Sequence, residues 1–186
     1  MRSHEEVLSE ARERYNDPKI RKISQESARV EAFGYCKWTR VQETMEFADR
    51  MGFRKLGIAY CIGLKHEAAT LANIYQKNGY EVASICCKNG SIPKEEVGLA
   101  DDEKIRPGEY ESVCNPIGQA MVLNAEETEL NVIVGLCVGH DSLFIKHSKA
   151  LVTCLVSKDR VLAHNPVGAI YTSQSYYRKK LYEKEK

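Results

Sequence analysis

The sequence lacks the features that mark several large classes of protein. Its 27 basic and 26 acidic residues nearly cancel, and a net charge of +1 gives no basic surface for nucleic acid. No apolar run approaches the length of about 20 residues that a membrane-spanning helix needs. The polar start, Met1–Glu6, lacks the apolar segment of a signal peptide. These absences predict a cytoplasmic protein that binds neither nucleic acid nor membrane.

Local motifs for metal and phosphate are missing as well. No Cys-x-x-Cys pair marks a zinc site built from neighbouring residues. Gly135 and Gly139 are spaced as in an anion-binding turn, but no Lys-Ser or Lys-Thr pair follows to complete a phosphate loop. The sequence has seven cysteines. The odd number and the missing export signal both argue against a disulfide framework. The thiols are therefore structural, reactive, or ligands that the fold brings together.

The length of 186 residues suits one domain with a substantial core. We predict a single α/β domain over residues 1–186. It consists of N-terminal helices over 1–52, an α/β core over 53–171 with an insertion near 88–113, and a tail over 172–186 that begins as a helix.

Short apolar segments bounded by turn residues predict the strands of the core. They lie at 55–60, 80–86, 131–137 and 150–156, and a further short strand is indicated at 161–164. Helical patterns separate the first four segments. This alternation predicts a three-layer α/β sandwich with a mainly parallel sheet of four or more strands.

Helix starts are marked by residues whose side chains cap the first turn. Ser3 with Glu6, and Thr39 with Gln42, have the spacing of a capping box. The predicted N-caps are Ser3, Asp17, Thr39, Asn115, and Asp141 or Ser142.

Most cysteines fall at the ends of predicted strands or just before predicted helices. Successive positions are 23 to 27 residues apart, about the length of one strand–helix unit. Since parallel strands end at the same edge of a sheet, these thiols should meet in one crevice. We predict that its ligands are Cys36, Cys61, Cys87 (or Cys86), Cys114 and Cys137. Only one of the adjacent pair can face the crevice, and Cys154, in mid-strand, is predicted to belong to the core.

Polar residues beside these cysteines are candidates for chemistry. His140 and Asp141 follow the third strand and suit a general base with its orienting carboxylate, which makes them the catalytic candidates. Asn115, Lys88 and Arg40 each belong to a cysteine segment. We expect them to line the crevice, where they would balance thiolate charge or bind a small anionic ligand.

Taken together, the motifs resemble a known family. They are Gly-Tyr-Cys-Lys from Gly34, Cys-Ile-Gly-Leu from Cys61, Cys-Cys-Lys from Cys86, Cys-Asn-Pro from Cys114, Gly-Leu-Cys-Val-Gly-His-Asp-Ser from Gly135, Lys-Asp-Arg from Lys158 and His-Asn-Pro from His164. Their order is similar to that of the domain of unknown function 1847, described as predicted metal-binding proteins of bacteria and archaea. The resemblance runs from about Arg29 to Tyr171. It implies metal binding but no particular reaction.

The sequence thus predicts a metal-binding protein whose crevice holds an iron–sulfur or zinc centre. An iron–sulfur cluster is slightly favoured over zinc. Sites made only of thiolates suit both, and no histidine pattern favours zinc. One alternative is a metal-free thiol enzyme with Cys137 or Cys114 as the nucleophile and His140 as the base. Another is a small-molecule binding module whose glycine turns hold an anion. The sequence names no substrate and does not decide whether the protein is an enzyme.

Overall fold

The computed structural model describes residues 3–183, which fall into two compact units that meet at Arg54 and Lys55 in sequence. The helices are α1 (His4–Arg14), α2 (Pro18–Gly34), α3 (Arg40–Met51), α4 (Lys65–Lys77), α5 (Pro116–Ala125), α6 (His140–His147), α7 (Val167–Tyr171) and α8 (Arg178–Tyr182). The strands are β1 (Lys55–Tyr60), β2 (Glu81–Cys86), β3 (Leu130–Val134) and β4 (Leu151–Val156). The predicted single domain and its tail include residues 1, 2 and 184–186, which lie outside the described part.

The first unit consists of α1, α2 and α3. Both predicted capping boxes are present, at Ser3 and at Thr39, and the Asp17 carboxylate caps α2. Helices α2 and α3 pack together, with Val30 and Ala48 buried. These caps confirm that local side-chain chemistry fixes the helix starts here.

The second unit is built on a four-stranded sheet in the order β2-β1-β3-β4, and all its strands are parallel. The central strands β1 and β3 are the most buried, whereas the edge strands β2 and β4 are partly exposed. This arrangement confirms the predicted fold class and the four predicted strand positions. Continuous apolar runs such as Val132–Val134 are typical of strands covered on both faces.

Helices cover both faces of this sheet. Helix α4 connects β1 to β2 and buries Ala68, Leu71 and Tyr75. Helices α5 and α6 follow β2 and β3 and pack against each other. The connections through α5 and α6 run across the sheet in the direction opposite to the connection through α4. Because crossover connections are right-handed, this reversal puts α4 on one face and α5 with α6 on the other. The reversal point lies between β1 and β3, and its carboxyl end is where open α/β sheets form crevices.

The segment 161–164 is a turn, so the predicted fifth strand is wrong. The Asp159 carboxylate accepts hydrogen bonds from the main-chain N–H groups of Val161 and Leu162, at 2.9 and 2.8 Å. His164 has a φ of 63° and donates its N–H to the Asp159 carbonyl. These bonds close the backbone on itself, and no partner strand is needed.

The predicted cap of α6 is also wrong. The helix begins at His140, one residue before Asp141, and its N-cap is Gly139, whose φ of 83° favours glycine. The Asp141 carboxylate instead accepts a hydrogen bond from the adjacent Ser142 N–H at 2.8 Å. The tight glycine turn after β3 starts the helix earlier than the side-chain pattern indicated.

The predicted insertion near 88–113 has three short 3-10 turns, at Asn89–Ser91, Lys94–Val97 and Asp101–Glu103. Lys104 forms ion pairs with Glu95 and Asp101. Local charge pairs therefore shape this segment. Within residues 3–183, no helix is long and apolar enough to cross a membrane.

We predict that Gly57→Ala destabilises the second unit by about 2–3 kcal/mol. A Cβ at Gly57 would lie 1.9 Å from Asn131 Oδ1, which accepts a buried hydrogen bond from Thr128. Gly168→Ala is the matched control, because its Cβ meets Leu162 at an ordinary 3.5 Å. Urea unfolding of the two variants measures the difference. Equal unfolding free energies would show that the close approach of β1 to Asn131 carries no stability.

Candidate functional site

Four thiols line one gap at the carboxyl edge of the sheet. The lining side chains are Cys61, Cys87, Cys114, Gln119, Leu136, Cys137 and His140. They come from the ends of β1, β2 and β3 and from the starts of α5 and α6. The gap is too narrow to admit a water molecule.

Main-chain hydrogen bonds that extend the sheet fix two of these thiols. Tyr60 and Cys86 are partners in the β1–β2 ladder, and the Cys87 N–H continues it by donating to the Tyr60 carbonyl at 2.8 Å. The Cys61 N–H donates to the Val134 carbonyl at 3.1 Å. Cys61 and Cys87 are therefore held side by side, one residue beyond the paired strands.

The other two thiols are held by the turns that lead into helices. The Asn115 N–H donates to the Cys87 carbonyl at 2.7 Å, which brings Cys114 beside Cys87. After β3, Gly135 has a φ of 72°, and a side chain there would meet Leu64. This turn leaves Cys137 half-buried at the start of α6, with its carbonyl accepting from the His140 N–H at 3.0 Å.

Cys87 is the thiol that acts on both of its neighbours in the gap, Cys61 and Cys114. Its thiol stabilises the two flanking sulfurs as thiolates, which lowers the pKa of Cys61 and of Cys114 to about 5. The same hydrogen bonds to Cys114 and Cys61, followed by burial, raise the pKa of Cys87. Of the three thiols, Cys87 therefore holds its proton most strongly, and Cys61 and Cys114 lose theirs first.

Three cations balance this negative charge. Lys158 lowers the pKa of Cys61 by its charge and by a hydrogen bond, after the larger effects of Cys87 and the Gly63 N–H. Arg160 donates from Nη2 to Cys137 Sγ at 3.1 Å, and that bond raises the pKa of Arg160. The charge of Lys88 favours the Cys114 thiolate. Lys158 and Arg160 follow β4, so all four strand ends contribute to the site.

Two buried polar atoms in the gap, Gln119 Oε1 and His140 Nδ1, have no hydrogen-bond partner in the part of the chain that the structure describes. Gln119 is 0% exposed, and its Nε2 donates to the carbonyls of Tyr60 (3.2 Å) and Ile85 (2.8 Å). These two bonds fix the amide, so Oε1 is presented to the thiols as an acceptor. Buried polar groups of this kind call for an explanation.

Sequence reasoning missed Gln119, Lys158 and Arg160 as site residues. The signal for Gln119 was a polar residue within the apolar helix that starts at Pro116. For Lys158 and Arg160 it was the Lys-Asp-Arg motif, which contributed to the family resemblance without receiving a role.

Several predicted polar residues have other partners. Asn115 caps α5 by accepting from the Gly118 N–H at 2.8 Å, and its amide donates to Asn89. Lys88 donates to the Ser112 carbonyl and acts on the thiols only through its charge. Asp141 bonds the adjacent Ser142 and does not line the gap.

The remaining predicted residues lie away from the described gap or in the other unit. Cys36 and Arg40 belong to the first unit, where Cys36 is exposed and Arg40 pairs with Glu43 at 3.6 Å. Cys86 is half-buried on β2 and does not line the gap. Cys154 is exposed rather than buried, because β4 is an edge strand with one uncovered side.

The side chains around the gap are not arranged as a metal site. Within residues 3–183, no three His, Cys, Asp or Glu residues are placed to hold an ion. The donor set itself, four sulfurs and an imidazole, has the chemistry of zinc and iron ligands.

We predict that Cys114 reacts with iodoacetamide almost independently of pH in the metal-free protein. With its pKa at about 5, the thiolate is already formed at pH 6, so the rate should change less than about twofold between pH 6 and 8. Glutathione, an ordinary thiol, is the control and should react roughly 80-fold faster at the higher pH. Mass spectrometry of the Cys114 peptide measures the rate. A Cys114 rate that rises in parallel with glutathione would contradict the thiolate assignment.

Comparisons with known proteins agree with the motifs. A family model described as a protein of unknown function, DUF1847, matches residues 1–155. The uncharacterized protein MJ0455 of Methanocaldococcus jannaschii is 52% identical over 171 residues, which cover 92% of this chain and 86% of that protein. No solved structure matches. The chain therefore belongs to the DUF1847 family, as the sequence motifs predicted.

Proposed function

We propose that the protein binds a single soft metal ion, zinc or iron, through Cys61, Cys87, Cys114 and Cys137. One observation carries the proposal: four thiols from four separate segments line a single gap. Grouping thiols in this way is costly without a cation, because the thiolates repel one another. A bound cation removes this cost.

The chemistry of the thiols suits a tetrahedral ion. Zinc and iron are both bound by four cysteine sulfurs, with a Zn–S distance of about 2.3 Å. Cys87 lines the gap with Cys61 and Cys114, and its thiol acts on the pKa of both. Binding of all the sulfurs to one ion requires the Cys87 thiol to lose its proton, so binding should weaken at low pH.

The narrowness of the gap favours a single ion over an iron–sulfur cluster. The sequence placed the cluster slightly ahead, because cysteine ligands suit both. A cluster of four irons and four sulfides is much larger than a water molecule, and the gap does not admit even that.

The charged residues around the gap would then stabilise the loaded site. Four thiolates and a divalent ion carry two net negative charges, which Lys158 and Arg160 offset. His140, on the same gap, would contribute a hydrogen bond or a reversible proton. Lys88 adds positive charge on the Cys114 side, which supports the expected small anionic ligand.

A metal-free thiol enzyme is the second candidate. It is favoured by the lowered pKa of Cys114 and by His140 Nδ1, which is buried beside it without a partner. In that case Cys114 would act as the nucleophile and His140 would carry the proton. Both functions need reduced thiols, which supports the cytoplasmic location expected from the sequence.

The metal proposal is tested by titrating chelator-treated, reduced protein with Zn²⁺ or Fe²⁺ under anaerobic conditions. We predict uptake of one ion per chain, and a content well under half of that in Cys137→Ala, because a ligand is lost. His140→Ala should keep most of the metal, because its role is to support the ligands. Cys154→Ala is the matched control, since this exposed thiol is not in the gap.

Two results would change the assignment. Full metal content in Cys137→Ala would remove Cys137 from the ligands, and absence of uptake by the unmodified protein would move the thiol enzyme ahead. Iron together with acid-labile sulfide in anaerobically purified protein would replace the single ion by a cluster.

A further inference from the structure

Cys61 and Cys87 are cross-strand neighbours. Tyr60 and Cys86 are the last register partners of β1 and β2, and the two cysteines follow them directly. Neighbouring strands lie about 4.8 Å apart. A disulfide needs Cα atoms about 4.4–6.8 Å apart. The Cys87 N–H bond to the Tyr60 carbonyl continues the ladder, so Cys61 and Cys87 follow in the register and spacing that suit a disulfide.

The two side chains also face each other. Both line the gap. The Ile62 N–H donates to Cys87 Sγ at 3.4 Å, which holds this sulfur next to the segment that carries Cys61. Neither cysteine is bonded to another, so both thiols are available for reaction.

Other cysteines are less well placed for this reaction. Cys86 precedes Cys87 on the chain, and neighbouring residues of a strand point to opposite faces. Cys154 is exposed on the edge strand β4. Cys114 and Cys137 also line the gap. Cys137 follows β3, which does not pair with β2, and Cys114 approaches Cys87 from a loop and not from a strand in register. The ladder therefore favours Cys61 as the partner of Cys87.

We propose that a peroxide oxidises Cys61 and Cys87 to an intramolecular disulfide, which makes this pair a site of reversible modification. The Cys61 thiol, which keeps 7% exposure against 2% for Cys87, attacks the peroxide O–O bond, forming a sulfenic acid and releasing one water. The second thiol attacks that sulfur and expels the sulfenic oxygen as another water. In total, two thiols and one hydrogen peroxide give one disulfide and two waters, and the thiols supply both electrons.

This inference goes beyond the metal proposal and stands without it. It depends only on the positions of two thiols, so it is tested on chelator-treated protein. If the metal proposal also holds, the disulfide consumes two of the four ligands, and added Zn²⁺ should slow the oxidation. A failure of metal uptake would therefore leave the disulfide proposal standing, and a failure of disulfide formation would leave the metal proposal standing.

The experiment treats reduced, chelator-treated protein with hydrogen peroxide at a low molar excess and then blocks free thiols with N-ethylmaleimide. We expect the protein to lose two of its seven alkylatable thiols and the mass of two hydrogen atoms. Peptide mapping should link the peptide carrying Cys61 to the one carrying Cys87, and dithiothreitol should restore both thiols. Unmodified protein suffices for this result, so no variant has to fold.

Variants then assign the sulfurs. Cys86→Ser is the matched control for Cys87→Ser, because the two residues are adjacent and share a tryptic peptide. The link should persist in the first variant and disappear in the second, with circular dichroism confirming that both fold. A link from Cys87 to Cys114 or to Cys86, or sulfinic acid without any link, would overturn the proposal.

Discussion

The parallel hydrogen-bond ladder between β1 and its two neighbours is the constraint on which the rest of the site depends. Parallel strands must all end at the same edge, and β1 is paired on both sides, with β2 and with β3. Main-chain bonds from Cys61 and Cys87 extend this ladder past the last strand residues. The thiols consequently meet because of backbone pairing, and their side chains need contribute little to holding them together.

Charge is the second organising factor. Buried sulfurs that approach one another need a proton, cations or donor groups between them. The chain supplies all three: the Cys87 proton, the Gly63 N–H, and the side chains of Lys158 and Arg160. A bound metal ion would replace the Cys87 proton as the positive charge between the sulfurs. This exchange links the two functional candidates, since the features that prepare a thiolate to bind a metal also prepare it to attack a substrate.

Much of the fold followed from the sequence, because its signals are local. The apolar runs predicted the four strands, and their alternation with helical patterns predicted that the strands are parallel. The capping boxes predicted the starts of α1 and α3. The failures were of a different kind. The turn at 161–164 depends on one carboxylate, Asp159, and the exposure of Cys154 depends on β4 lying at the sheet edge. Strand order and the orientation of single side chains are set by tertiary packing, which apolar patterns do not report.

The candidate site was predictable only in part for the same reason. Regular spacing brought out Cys61, Cys87, Cys114 and Cys137, because each follows a strand or precedes a helix. Gln119 joins the site through its amide, which spans the carbonyls of Tyr60 and Ile85. The same amide therefore ties α5 to the last carbonyls of two neighbouring strands, and it does so with its nitrogen alone. Its oxygen remains an acceptor without a partner beside the thiols, so a group that donates a hydrogen bond there would find an acceptor that the sheet already holds in place.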